Sequence, residues 1–288
     1  MGRLLVVAGM ILWASDGFAA APAPLPFEKR GLEALARKDY GTCAAIFAQA
    51  ARERPFDADA PFAAASCFSR LEENGKAERY LKIAFERGYR DCARFKSADE
   101  FARYQKMFAG ECDENEEVFL RHVNAELLYA FEDDQAERES LESKPQSEWP
   151  MLLDRITRHD VSRRHLVQLM LERKLVRSAD DYYHAAMIMQ HGRDSTDYAA
   201  ARRLAHRAVE LRPWFADARW LYAAATDRYL QSTGKPQIFG TQYGKKGTEW
   251  TLEPFDPKAS TDAERARWRV PSLRERLDFI ANLNNPKR

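Results

Sequence analysis

Residues 24–57, PLPFEKRGLEALARKDYGTCAAIFAQAARERPFD, align without gaps on residues 58–91, ADAPFAAASCFSRLEENGKAERYLKIAFERGYRD. The alignment defines a period of 34 residues, in which small and large side chains recur at the same positions. The matched pairs are Gly31 with Ala65, Cys43 with Ala77, Phe47 with Leu81, and Ala50 with Ala84. Small residues let two helix axes approach closely, and larger ones fill the space beside them, so the period predicts paired helices.

A proline follows the second predicted helix of the first unit, at Pro55, where it cannot continue that helix. With this proline and the 34-residue period, the stretch resembles the tetratricopeptide repeat over about 70 residues. The resemblance implies stacked helical hairpins whose concave surface binds a protein or peptide partner. Beyond Gly88 the match ends, and aromatic residues at helical spacing predict a divergent terminal helix: Phe95, Phe101, Tyr104 and Phe108.

The four cysteines, Cys43, Cys67, Cys92 and Cys112, form no C-x-x-C motif. In an exported protein such a set favours disulfides, with buried free thiols as the alternative, and four cysteines allow three connectivities. The register of the tetratricopeptide resemblance places Cys43 and Cys67 on neighbouring helices. It therefore implies the pairs Cys43–Cys67 and Cys92–Cys112, each of which would contribute about 3 kcal/mol to stability.

Residues 1–19, MGRLLVVAGMILWASDGFA, combine a positive charge at Arg3, an apolar run and small residues near Ala19. This order is typical of a secretory signal peptide that is cleaved after Ala19. An uncleaved anchor is the weaker alternative, because the apolar run is about half of the roughly 20 residues that span a bilayer. We therefore expect a periplasmic or secreted bacterial protein, with residues 20–27 as an extended spacer and no later membrane segment.

The chain has 288 residues, with 45 Lys and Arg against 44 Asp and Glu. The resulting formal net charge of +1 argues against a nucleic-acid partner, which would require a basic excess. The length fits two domains. Because the cysteines and the polar motifs described below occupy different parts of the chain, we place a repeat domain at residues 28–112 and a second helical domain at residues 113–288.

Three stretches of the second domain show helical periodicity: residues 149–174, residues 180–191, and residues 198–230 with a break at Pro213. Ser178 is a suitable N-cap for the middle helix, and Gly192 a suitable residue just after its end. Farther along, residues 238–243 and 248–253 flank a Gly-Lys-Lys-Gly segment and predict a β-hairpin. The expected fold class is therefore mainly α, with helical hairpins and one small β-hairpin.

The sequence carries no G-x-S-x-G, P-loop, G-x-G-x-x-G or H-E-x-x-H motif. None of its six histidines is followed four residues later by another, so a zinc site on one helix has no support. We therefore expect neither a metal nor a cofactor.

Four polar motifs succeed one another in the second domain: DQAER at 134–138, QHG at 190–192, DRYLQSTGKPQIFGTQY at 227–243 and DAER at 262–265. In this order they resemble the D-Q-x-x-R, Q-H-A/G, D-R and G-x-P-Q-x-Y/F-G-T-Q motifs of an uncharacterised bacterial domain family. The resemblance extends over roughly residues 120–280. It implies no particular activity, and Phe239 stands where the family frequently has tyrosine.

The motif residues include two groups of candidate site residues. His191, Asp227 and Arg228 have the chemistry of a general acid or base, a carboxylate partner and an anion clamp. Alternatively, His191 caps its helix and Arg228 holds the following loop. The candidates for binding a polar ligand are Gln190, Gln237, Thr241, Gln242, Asp134 and Arg138.

Two functions are compatible with these residues. We favour an exported helical-repeat protein that binds a polar small ligand, a peptide or a protein partner, because no activated nucleophile is visible. The alternative is a periplasmic hydrolase in which His191 activates water with help from Asp227 or Asp134, while Arg228 and Gln242 stabilise developing charge. The enzyme hypothesis requires these side chains to line an open pocket, whereas mutual bracing would argue against it.

Overall fold

The computed structural model describes residues 26–142 and 144–285, and this part of the chain is mainly α-helical with one small antiparallel sheet, as predicted. It separates into two units, of which the first ends at His122 and the second begins at Val123. We expected the division at Cys112, but the helix that contains Cys112 continues to His122. None of the described helices has both the length and the apolar character needed to cross a bilayer.

The expected signal peptide, residues 1–19, lies outside the described residues. Most of the expected spacer, residues 20–27, lies outside them as well. Its last two residues are helical, because the first described helix begins at Pro26.

The N-terminal unit is built from successive helices: α1 Pro26–Ala36, α2 Tyr40–Glu53, α3 Asp59–Arg70, α4 Asn74–Glu86, α5 Cys92–Ser97 and α6 Gln105–His122. The first four helices pack as consecutive neighbours, α1 on α2, α2 on α3 and α3 on α4, and α2 and α4 begin 34 residues apart. Asp39 begins α2 by accepting a hydrogen bond from the backbone N–H of Thr42 at 3.1 Å.

Small residues let the helices of this unit approach closely. A Cβ atom at Gly31 would lie 2.5 Å from the ring of Phe47, so the packing of α1 on α2 requires glycine at this position. Ala65, which aligns with Gly31 in the sequence, is fully buried. Aromatic side chains fill the space farther along, as in the stacking of Phe62 on Tyr89 with ring centroids 3.8 Å apart.

Two disulfides lie in the N-terminal unit, and the predicted pairing is confirmed. Cys43 on α2 pairs with Cys67 on α3, and their Cα atoms are 6.0 Å apart. Cys92 at the start of α5 pairs with Cys112 on α6, with a Cα separation of 5.7 Å. Each bridge therefore links two different helices of the unit.

The C-terminal unit contains the remaining helices: α7 Ala125–Glu142, α8 Trp149–Glu172, α9 Ala179–Gln190, α10 Ser195–Leu211, α11 Ala216–Ser232, α12 Asp262–Arg267 and α13 Leu273–Asn284. Helices α9, α10 and α11 pack as consecutive neighbours around a core rich in alanine. Ser178 begins α9, as predicted, in a capping box with Asp181.

Gly192 follows the C-cap residue His191 at the end of α9. It does not adopt the left-handed conformation that often favours glycine after a helix. The reason for glycine is space, since a Cβ atom at this position would lie 2.1 Å from the Cβ of Asp197.

The β-hairpin is present, but its strands differ from the predicted ones. Strand β1 is Gly244–Lys246 and β2 is Glu249–Thr251, with Gly247 in the turn at a φ of 68°. Three of the four residues expected in the turn therefore form the first strand, and the fourth, Gly247, is in the turn. The expected first strand, residues 238–243, is not one, because the carboxylate of Asp227 binds the backbone N–H groups of three of its residues.

Candidate functional site

Charged residues occupy part of the buried face of α8, where an amphipathic helix normally carries apolar side chains. The buried residues on this face, spaced by four and three, are Ile156, Asp160, Arg163, Val167 and Met170. The buried face of α7 also carries charged residues, Asp134 and Arg138, which lie between the buried Leu127 and Leu141. The two helices therefore meet through buried charges.

Asp134 and Arg138 are the centre of this charged network. Arg138 donates to Asp134 through Nη1 and to Asp160 on α8 through Nη2, the latter at 2.8 Å. Arg163 donates to the other oxygen of Asp160 at 3.2 Å and to Glu137 at 2.6 Å. Alternating charges thus connect α7 to α8, which is the condition under which buried charges are tolerated.

His191 joins the network at the end of α9. Its Nδ1 lies 3.1 Å from Oδ2 and 3.2 Å from Oδ1 of Asp134. Gln135 also donates to Asp134, at 2.6 Å. The structure therefore brings together three residues of the DQAER and QHG motifs, Asp134, Arg138 and His191, although these motifs are far apart in the sequence.

The protonation states follow from burial and charge. Burial acts to raise the pKa of Asp134, but His191, Arg138 and Arg163 outweigh it and hold that pKa below its ordinary value. Burial lowers the pKa of His191, against the attraction of Asp134, and the nearby Arg138 and Arg228 act in the same direction as burial. At neutral pH the pair is thus a carboxylate and a neutral imidazole whose Nδ1–H donates to Asp134.

The backbone around His191 is held by neighbouring helices. Arg164 on α8 donates to the carbonyl of His191 at 3.0 Å, and Arg228 on α11 donates to the carbonyl of Gln190 at 3.0 Å. The Tyr198 hydroxyl donates to the carbonyl of Gly192 at 3.0 Å. These residues satisfy the carbonyls at the end of α9.

Asp227 organises the segment that follows α11. Its Oδ1 accepts from the N–H groups of Ile238 and Phe239 at 2.9 and 3.0 Å. Its Oδ2 accepts from the N–H and the hydroxyl of Thr241 at 2.8 and 2.7 Å. Burial raises the pKa of Asp227 even though each of these hydrogen bonds lowers it. Both oxygens therefore bind the loop. The catalytic role that the hydrolase alternative gives to Asp227 stays a prediction, and this bonding disfavours it.

Gln237 and Gln242 bind each other. The Gln237 amide accepts from the N–H of Gln242 at 2.9 Å and donates to its carbonyl at 2.9 Å. The Gln242 side chain accepts from Arg228 at 3.0 Å and donates to the hydroxyl of Thr241 at 2.9 Å. All four side chains therefore brace the loop. This bonding disfavours ligand binding by the glutamines and Thr241, which stays a prediction.

Two arginines complete this part of the C-terminal unit. Arg276 donates to the carbonyls of Gly240 and Thr241, and Arg265 of the DAER motif donates to the carbonyl of Pro271 at 2.8 Å. Both are almost fully buried. Burial lowers the pKa of Arg276 to about 10, while Asp227 acts in the opposite direction. The motif residues of this region thus form one polar framework.

Gln190, the other candidate on α9, is fully buried. Its amide nitrogen lies 3.0 Å from the sulfur of Met187, and its Oε1 has no hydrogen-bond partner among the described residues. This environment makes Gln190 a core residue rather than one that faces a ligand.

A groove of about 560 Å³ lies in the N-terminal unit, between α4 and α6. Phe85, Met107 and Phe108 are its apolar lining residues. Its polar lining residues are Glu78, Lys82, Glu86, Glu111, Glu114 and Asn115. The repeat resemblance implied a concave surface on the repeats themselves, whereas one wall of this groove is α6, beyond the repeat match. The sequence did not identify these lining residues, because exposed glutamates on a helix resemble an ordinary solvated face.

A possible cation site in the same unit has no suitable ligand set. Cys92, Asp113 and Glu116 offer ligand atoms within 4.8 Å of one another. However, the sulfur of Cys92 is in the disulfide with Cys112, and Asp113 pairs with Lys96 at 2.6 Å. These three residues therefore do not form a metal centre.

No family model matches this chain, and no curated protein matches it.

Proposed function

We propose that the protein is an exported binding protein whose N-terminal helical hairpins hold a peptide segment of a partner in the groove between α4 and α6. The groove itself is the observation that carries this proposal. Its volume of about 560 Å³ falls within the range of roughly 300–1,000 Å³ that is common for ligand sites. It also lies beside the two hairpins whose sequences resemble tetratricopeptide repeats.

Hydrogen bonds and a ring contact hold the walls of the groove together. Asn115 on α6 donates to the carbonyls of Phe85 and Tyr89 at 2.9 and 3.0 Å and so ties α6 to the end of α4. The rings of Phe85 and Phe108 stack at 5.5 Å beneath the groove. A preformed site loses less conformational entropy on binding than a flexible one, which favours a recognition role.

The C-terminal unit supports the hydrolase alternative less well. Of the residues that hypothesis requires, Asp227 and Gln242 brace the loop, and Arg228 holds that loop and the end of α9. The remaining pair, His191 and Asp134, lies within a network that joins three helices. We infer that this polar framework stabilises the fold of the C-terminal unit.

Export is proposed for the same protein on two grounds. The first is the signal-like composition of residues 1–19. The second is the pair of disulfides, since such bonds persist in oxidising compartments. A periplasmic or secreted location would also give the groove access to segments of other exported proteins.

A selection from a random peptide library tests the proposed function without assuming any particular sequence. The intact, oxidised protein is the target, and Glu111→Trp serves as a variant that fills the groove. Glu117→Trp is the matched control, because Glu117 is exposed on the same helix but does not line the groove. We expect peptides that bind the wild type and the control but not Glu111→Trp. Equal enrichment on all three proteins, or no enrichment on the wild type, would contradict the proposal.

A further inference from the structure

We propose that the groove between α4 and α6 selects a cationic peptide segment in which lysine or arginine residues flank an apolar side chain. This inference rests on the proposed function and adds the chemical class of the partner. It follows from the charges of the groove, from its apolar lining and from the field of α6.

The charges that line the groove are predominantly negative. Four glutamates line it, and Lys82 is the one cation among its lining residues. Lys82 is itself 3.9 Å from Glu86, so that pair is largely neutral. Glu78, Glu111 and Glu114 are exposed and form no ion pair or side-chain hydrogen bond within the described chain. Three carboxylates are therefore available to a cationic ligand.

These carboxylates lie on both walls. Glu78 belongs to α4, whereas Glu111 and Glu114 belong to α6 and are separated by one helical turn. A segment that occupies the groove would thus meet carboxylates on either side. Lysine and arginine side chains are long enough to reach such rim positions while the backbone lies between the helices.

The apolar lining explains the second requirement. Phe85 and Phe108 are nearly buried and form the floor, but the Met107 side chain at the rim is about half exposed. Methionine adapts to differently shaped apolar partners, and its burial by a ligand side chain would be favourable. A purely polar cation would leave this surface in water.

The rest of α6 strengthens the negative potential. Residues 111–117 of this helix, ECDENEE, include five acidic side chains. Within the described residues, Asp113 is the one of these five that pairs with a basic side chain, that of Lys96. A field of this sign attracts cations and repels polyanions, so it opposes a nucleic acid or an anionic lipid surface at this groove.

Fluorescence anisotropy with defined peptides tests this inference on the oxidised full chain. The probe is a short labelled peptide of alternating lysine and leucine. Two comparison peptides replace either every leucine with serine or every lysine with glutamate. We expect the lysine and leucine peptide to bind most tightly, with an affinity that falls as the salt concentration rises. A serine peptide that binds equally tightly, or a glutamate peptide that binds more tightly, would overturn the inference.

Charge variants locate the binding site. The double substitution Glu111→Gln and Glu114→Gln should weaken binding about tenfold, because two carboxylates of the groove are lost. The control, Glu116→Gln and Glu117→Gln, removes the same charge from the same helix outside the groove lining and should change binding less than about twofold. Lys82→Gln should tighten binding, since it removes the cation of the groove. Equal weakening by both double variants would contradict the assignment to the groove.

The two proposals fail in distinguishable ways. Neutral or acidic peptides that are selected by the wild type and lost in Glu111→Trp would uphold peptide binding in the groove and refute its cationic specificity. Failure of every peptide to bind in a groove-dependent manner would refute both. Because all the substituted residues are exposed helix positions, circular dichroism should show unchanged helicity in each variant.

Discussion

His191 is neutral in the folded protein because it is enclosed by helices that also carry Arg138 and Arg228. Its Nδ1–H donates to Asp134, and its carbonyl accepts from Arg164. The residue thus links the end of α9 to α7 and α8. His191 has the chemistry of a general base, but its contacts in this structure stabilise the packing of these helices.

Acidification should destabilise the protein through His191. Burial lowers its folded-state pKa, whereas the unfolded chain takes up a proton near the ordinary value of 6.5. Below about pH 6.5 the unfolded state therefore binds more protons, and stability is lost as the pH falls through the folded-state pKa. Denaturant unfolding between pH 7.5 and pH 5 would measure this loss.

His191→Asn isolates this contribution, because asparagine can donate to Asp134 but does not titrate. We expect a shallower decline of stability with falling pH in this variant than in the wild type. His165→Asn, at an exposed position on α8, controls for the substitution itself. An unchanged slope in His191→Asn would show that this histidine does not couple folding to pH.

Gly192 should tolerate no side chain. A Cβ atom there would lie 2.1 Å from the Cβ of Asp197, which also accepts from the N–H of Arg193 at 3.1 Å. Gly192→Ala should therefore destabilise the C-terminal unit by about 1–3 kcal/mol, as overpacking does. Thermal unfolding measures this change.

The matched control for Gly192→Ala is Gly110→Ala. Gly110 lies within α6 and has nothing within 4 Å of its added Cβ. Alanine should raise stability there by up to about 1 kcal/mol, because it favours helix. Two substitutions of the same kind should thus have opposite signs, and equal effects would contradict the packing argument.

At this scale the sequence identified part of the charged network. Asp134, Arg138 and His191 were recognised as candidates, because their residue types and motifs are distinctive. Their partner Arg163 on α8 was missed, although it has a signal: with Asp160 it occupies positions of an otherwise apolar helical face. Charged residues at such positions indicate buried pairs. The contact between Asp134 and His191 could not be predicted from local sequence, because the two residues are 57 positions apart.

At the scale of elements, residues 238–243 are shaped by hydrogen bonds rather than by strand pairing. The sequence predicted a strand at residues 238–243 because they precede a Gly-Lys-Lys-Gly segment that can form a hairpin turn. Asp227, ten or more positions earlier, takes the N–H groups of Ile238, Phe239 and Thr241. The hairpin is consequently displaced to β1 and β2. A prediction from neighbouring residues alone does not include the distant Asp227, whose carboxylate competes with strand pairing for these N–H groups.

Asp227→Asn should loosen this segment. The substitution turns one acceptor of backbone N–H groups into a donor and removes a charge that faces Arg265 and Arg276. Loss of one member of a buried charged set costs roughly 3–5 kcal/mol. We expect lower stability to denaturant and faster hydrogen exchange at the amides of Ile238, Phe239 and Thr241.

Asp256→Asn is the matched control for this experiment. Asp256 is exposed and accepts from the N–H of Lys258 at 2.9 Å in the same region of the chain. The control should leave exchange at residues 238–241 unchanged. Protection that survives in Asp227→Asn would mean that the loop does not depend on this carboxylate.

At the scale of the whole molecule, the chain divides its tasks between two units. All four cysteines lie in the N-terminal unit, whereas the buried network around Asp134 lies in the C-terminal unit. The sequence predicted this segregation from the distribution of cysteines and polar motifs. It did not predict the glutamates of the groove, because a groove arises only when α4 and α6 pack side by side.

Reduction should therefore act on one unit. The bridges close loops with sequence separations of 24 and 20 residues, and each should contribute about 3 kcal/mol. Calorimetry in the presence of a reductant should show a lower transition temperature for the N-terminal unit. Hydrogen exchange of α9 to α11, which contain no cysteine, should remain protected; loss of protection there on mild reduction would contradict this division.

The methyl group of Met107 reports directly on the proposed binding surface, the groove between α4 and α6. The protein labelled with ¹³C at its methionine methyl groups can be titrated with the lysine and leucine peptide and followed by NMR. Met107 lines the groove, whereas Met151 is an exposed methionine in the C-terminal unit. We predict that the Met107 signal shifts in step with binding and that the Met151 signal does not. Saturating peptide that shifts Met151 and leaves Met107 unchanged would contradict the claim.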